Sequence, residues 1–150
     1  MMVEGAVRAP ARRRFLLLLG WAGAVALVIA VFPVLVRGEL PDPLAVGWNY
    51  SGYPSKSAGL GEYVLLSLLK WAVVAGVWAV FAHRWPWGPA LPGAALGGFG
   101  VLLAGEVVQT VLANVGVSDF REAAPPGGHG WVALGCVLGG WLGWRLANRG

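Results

Sequence analysis

Charge is what this chain has least of. Only 12% of its 150 residues are Asp, Glu, Lys or Arg, while 57% are apolar; soluble domains carry about a quarter charged residues. That imbalance excludes an ordinary water-soluble domain and makes the lipid bilayer the first partner. The lone cysteine, Cys136, lies in an apolar run, which rules out a disulfide framework within the chain and reads as a buried structural thiol. The two histidines, His83 and His129, fall on opposite sides of the membrane in the threading given below. They cannot share a metal, so no metal or cofactor is expected. Basic residues do not interleave with aromatics on one face, which excludes nucleic acid as a partner. Nucleophilic catalysis needs a serine or cysteine beside a base at one depth. Ser67, one turn from Lys70, is the nearest approach, and nothing else supports it; no catalytic residue and no enzyme is read here. The regularly spaced glycines Gly93, Gly97, Gly135, Gly139 and Gly143 lie inside apolar stretches without a P-loop lysine, so they are not nucleotide loops.

What is present is a series of apolar runs. Residues 1–14 carry Arg8, Arg12, Arg13 and Arg14, and Phe15–Val36 follows without a charge, long enough at the helical rise to span a core of about 30 Å. Arg12-Arg13-Arg14-Phe15-Leu16 also resembles a twin-arginine export signal. The run is long for a signal peptide and has no small-x-small site, so a cytoplasmic basic anchor is the preferred reading. Pro33 is expected to kink or end the last turn. Further spans are expected over 63–82, 90–117 and 131–147, the last with Arg145 snorkelling to the interface. His83–Pro89 reads as an interfacial hairpin, and Ser118–Gly130 as a polar loop. With the amino terminus inside, Arg8, Arg12, Arg13, Arg14, Arg84, Arg145 and Arg149 lie on the inner side, against Arg37, Lys56 and Arg121 outside. The positive-inside rule then puts both termini in the cytoplasm. Trp48, Tyr50, Tyr53 and Trp131 would form an outer aromatic belt, and Trp85, Trp87, Trp141 and Trp144 an inner one.

The long outer connection, Gly38–Ser57, is the one extended stretch of mixed polar, proline and aromatic character. Pro41 and Pro43 favour extended backbone and remove two amide donors. Gly52, before Pro54, is predicted to take a left-handed turn conformation. Leu40, Pro41, Pro43, Leu44, Trp48, Asn49, Gly52 and Pro54 together resemble the loop of the domain-of-unknown-function 1648 family, over about Phe15–Ala82. Those are bacterial membrane proteins in which such a loop links two transmembrane helices. The family includes the immunity protein against the sporulation-delaying toxin. One departure is Gly47, where the family usually has histidine, so no metal or proton role of that histidine carries over. The resemblance implies a plasma-membrane protein of immunity-like or accessory type.

Two internal constellations remain. Gly93 and Gly97 recur at four-residue spacing in the third run, and Gly135, Gly139 and Gly143 in the fourth. Such ladders let helix backbones approach in lipid, within the bundle or in a dimer, packing within the bundle being preferred. Lys70 and Glu106 are the mid-membrane charges, lying about 11 Å and about 14–16 Å below the outer ends of their runs at the helical rise. A lone charge there costs about 3 kcal/mol, so a buried Lys70–Glu106 pair is expected. Gln109, Thr110 and Asn114 continue a polar stripe outward. The expected fold is therefore an all-α integral membrane bundle, a single domain over 1–150 with four transmembrane helices. Two functions compete. One is an accessory, immunity or sensor protein whose extracellular loop (Pro41, Pro43, Trp48, Asn49, Gly52, Pro54) meets a peptide or membrane-protein partner. The other is a homo-oligomeric transporter or channel component using the Lys70–Glu106 stripe.

Overall fold

A computed structural model describes the backbone of residues 4–84 and 90–148, and the side chains of 16–81 and 90–148. The side chains of the arginines before Phe15 and of His83 and Arg84, residues 85–89 of the expected interfacial hairpin with Trp85 and Trp87, and Arg149 lie outside the described residues. Four helices make up most of the chain: α1 (Glu4–Leu35), α2 (Leu60–Arg84), α3 (Ala90–Asn114) and α4 (His129–Asn148). The expectation of an all-α chain is corrected by two short strands between α1 and α2, β1 (Leu44–Trp48) and β2 (Pro54–Ala58), which pair antiparallel.

Helix ends follow local chemistry. α1 stops two residues after Pro33, whose ring leaves no amide for the ladder. α3 stops at Asn114, three residues short of the predicted boundary. Gly116 just beyond it takes φ +78°, the left-handed turn that closes many helices, and donates its N–H to Glu39 O at 2.9 Å. Gly128, also left-handed at φ +80°, opens α4 by accepting from the amides of Trp131 and Val132.

The segments Leu16–Leu35, Leu60–Phe81 and Ala90–Asn114 are long and apolar enough to cross a membrane. α4 has the length but is diluted by glycine, tryptophan and Arg145, and it is not among those three. α3 is the central element, packing on α1, α2, α4 and β1. Its core contacts are Leu96, Val107 and Val111, meeting Val25 and Ile29 of α1, Tyr63 and Trp71 of α2, and Leu44 of β1. Two indole N–H groups tie α1 to its neighbours: Trp21 donates to Leu96 O at 3.1 Å, and Trp71 donates to Ala22 O at 3.0 Å.

α3 and α4 run antiparallel with their glycines in register. A Cβ built on Gly93 would lie 2.6 Å from Gly143 O, and one on Gly97 would collide with Gly139 O. Gly135 sits against Val101, where an added Cβ would come within 2.9 Å of Cγ1. The two ladders thus face each other inside the chain. Arg145 lies over the Trp141 ring, 4.5 Å from its centroid. Cys136 is free and half-buried, not enclosed.

Candidate functional site

One end of the bundle gathers the end of α1, the hairpin, the start of α2, the end of α3, the loop 115–128 and the start of α4. Strand β1 enters through buried Pro41 and exposed Pro43, across a cis Asp42–Pro43 peptide bond. Leu44 and Ala45 are fully buried and seat the hairpin on the helices. The register pairs Leu44 with Ala58, Ala45 with Ser57, Gly47 with Lys56 and Trp48 with Pro54, with irregularities on either side of Gly47. Gly47 is tight: a Cβ there would sit 3.3 Å from Lys56 Cβ, so a histidine at this position would press on the Lys56 stem.

The turn is built by Asn49. Its Oδ1 accepts from Ser51 N at 3.0 Å and from Tyr53 N at 2.9 Å, while Gly52 N donates to Asn49 O at 3.0 Å. Gly52 has φ +80°, where side chains are strained. A three-residue loop closed by a left-handed glycine is a standard hairpin device. Tyr50 and Tyr53 project from this turn into the exterior, the former fully exposed.

Two side chains fasten the hairpin to the rest of the chain, and neither partnership is visible in the sequence. Asn114 is fully buried and reads the backbone of Ala45 at both groups, its Oδ1 accepting from Ala45 N at 2.7 Å and its Nδ2 donating to Ala45 O at 2.8 Å. It also donates to Thr110 O at 2.8 Å. Trp48 donates its indole N–H to Ala123 O at 3.2 Å, joining the hairpin to the loop after α3. That loop is ordered by Asp119, whose Oδ1 accepts from Arg121 N at 2.9 Å. Trp48 is therefore half-buried and bridging, in place of the displayed aromatic expected from the sequence. Within the hairpin the displayed aromatics are Tyr50 and Tyr53.

The polar stripe divides. Asn114 and Thr110 are buried under the hairpin, whereas Glu106 points out of the bundle. Lys70 Nζ and Glu106 Oε1 approach to 3.7 Å, with side chains 57% and 53% exposed. The expectation of a buried pair is corrected: both charges project from the outer flank of α2 and α3, since Lys70 is off the α2 stripe Tyr63–Ser67–Trp71 that faces the core. Beside Glu106 a recess of about 330 Å³ opens between α3 and α4, lined by Gln109, Thr110, His129, Leu102, Val132 and Pro126 among others. Its mixed lining suits a small polar molecule or water. Among the described residues, no three His, Cys, Asp or Glu side chains gather in a metal-holding group. No protein-family model, curated protein or solved structure matches the chain.

Proposed function

We propose that this is a small multi-pass protein of the bacterial plasma membrane, of accessory, immunity or sensor type. Its hairpin faces outward and contacts a peptide or a membrane-protein partner; the reading involves no catalysis. In it α4 is a fourth span, supported by its close packing along α3, and both termini are cytoplasmic, supported by the excess of arginine on that side. The likeness of the hairpin sequence to the domain-of-unknown-function 1648 loop is part of the same proposal. The observation that carries it is the pair of exposed tyrosines on a turn fixed by Asn49 and Gly52. Rigid aromatics lose little conformational freedom on binding, so they serve well as anchors.

The test is a selection of displayed peptides against the protein held in lipid discs. Enriched peptides should lose about tenfold or more in affinity for the Tyr50→Ala/Tyr53→Ala variant, as for a contact hot spot. Equal affinity would remove the hairpin tip from the reading. Impermeant thiol labelling in intact cells, with Cys136 replaced by serine, should reach Ser51→Cys and Ser118→Cys but not Ala6→Cys. The opposite pattern inverts the threading.

A second reading, a transporter or channel component, draws on the recess beside Glu106. The Lys70–Glu106 pair lies on the bundle exterior, so a conduit using it requires several copies. Flux that collapses in Glu106→Gln, with peptide binding intact, favours this alternative.

A further inference from the structure

We propose that the α2/α3 flank carrying Lys70 and Glu106 is the face through which two copies of this chain pair in the membrane. Within the three membrane-length segments, and away from their ends, these are the charged side chains among the described residues, and both are more than half exposed. They stand in an apolar field. Leu66 and Val73 lie one turn either side of Lys70 on α2, and Leu102 and Phe99 lie one and two turns from Glu106 on α3; all four are exposed. Glu106 borders the recess shared with Gln109, Thr110 and His129 on its α4 side. On the flank itself the pair has its mutual attraction and no hydrogen bond among the described residues, a position that charged groups in membranes avoid by facing protein or water.

The arrangement of the two charges selects the occupant. They sit side by side at one depth, opposite in sign, on neighbouring antiparallel helices. A two-fold axis along the membrane normal, passing between them, lays Lys70 of one copy over Glu106 of the other, and the reverse, without changing depth. Four charges then alternate in sign around the axis, as an isologous interface demands. An anionic lipid headgroup answers Lys70 alone, and a partner helix with one cation answers Glu106 alone. A second copy answers both. The other close-packed seam is closed within the chain, because the α3 glycines are already filled by the α4 backbone. The proposal is independent of what the hairpin binds.

Subunit counting by single-molecule photobleaching, on the tagged full chain in lipid vesicles, tests it. Wild type should bleach mainly in two steps. Lys70→Glu and Glu106→Lys, each alone, place like charges across the axis and should lower the dimer fraction about tenfold. Reconstituted together in two colours, the same two variants should form mixed dimers at close to the wild-type level. Single-step bleaching of wild type, or mixed pairing no better than either variant alone, overturns the proposal. Should either variant fail to insert, native charges are kept and a cysteine is placed at Val73 in a Cys136→Ser background. Bis-maleimide should then link copies about tenfold more than from a cysteine at Leu27 on the far face of α1, the geometry of one specific interface. Equal linking at both positions also overturns it. Tyr50→Ala/Tyr53→Ala should dimerise like wild type, which separates failure of this proposal from failure of the peptide-binding one.

Discussion

The α3–α4 seam and the seat of the hairpin are both close contacts on α3, made by opposite means. Along the seam, Gly93 and Gly97 meet Gly143 and Gly139, and contact arises because side chains are missing. At the seat, one side chain, Asn114, reaches across and satisfies both backbone groups of Ala45. Lipid gives helices no hydrophobic reason to associate, so close backbone approach and its dispersion contacts must supply it. At the hairpin end of the bundle, backbone polar groups are being buried, and an unpaired one is costly. The seam should therefore be intolerant of volume, and the seat intolerant of lost polarity.

The strongest way to break this contrast is Gly97→Val, which drives a branched side chain into the Gly139 carbonyl. Backbone cannot step aside as a flexible side chain can, so a loss of about 3 kcal/mol is expected, read by unfolding in mixed micelles. Gly76→Ala on α2, where nothing lies within 4 Å, should stay within about 0.5 kcal/mol. Equal effects at the two glycines would dissolve the seam as a distinct structure. Next comes Asn114→Leu, which keeps the bulk but leaves Ala45 N–H and C=O without partners. About 2 kcal/mol is expected, with faster amide exchange over 44–58 and little change in α4. Trp48→Phe keeps a benzene ring but removes the pyrrole half of the indole with its hydrogen bond to Ala123 O, and should cost about 1–2 kcal/mol while loosening the loop around Ala123. Smallest is Tyr50→Ala, within about 0.5 kcal/mol of wild-type stability. A larger loss would show that the tip is part of the seat and not a displayed surface.

The seam was partly legible from sequence because a four-residue glycine spacing on a helix has one structural meaning, a bare stripe. That Lys70 and Glu106 lie at a common level was legible too, since rise per residue sets it. Their direction was not: α2 is apolar nearly all round, so no stripe says which side faces inward, and the burial expected of the pair proved wrong. The hairpin was hidden because Gly47 and the run Ser55-Lys56-Ser57 have weak strand preference, and the irregular register breaks strict alternation. Gly52, before Pro54, did announce the turn, while the part Asn49 plays in it was not read. The partners of Asn114 and Trp48 could not be read at all, because each bonds to backbone of a distant residue. A peptide carbonyl looks the same at every position, so such an acceptor leaves no mark in the sequence.

The Asn114–Ala45 clamp has a consequence for the order in which the protein can be made. Ala45 leaves the ribosome 69 positions before the side chain that holds it, and Trp48 leaves 75 positions before the carbonyl it binds. When α1 and the hairpin segment have been delivered to the membrane, neither fastening exists. Leu44 must also wait for Val107 and Val111, so its apolar cover arrives with α3 as well. The hairpin end is thus finished late in biogenesis, after α3 has been made. A chain halted before Asn114 would hold its first two helices but expose an unclamped hairpin to proteases, whereas one halted after Ala123 would already protect it.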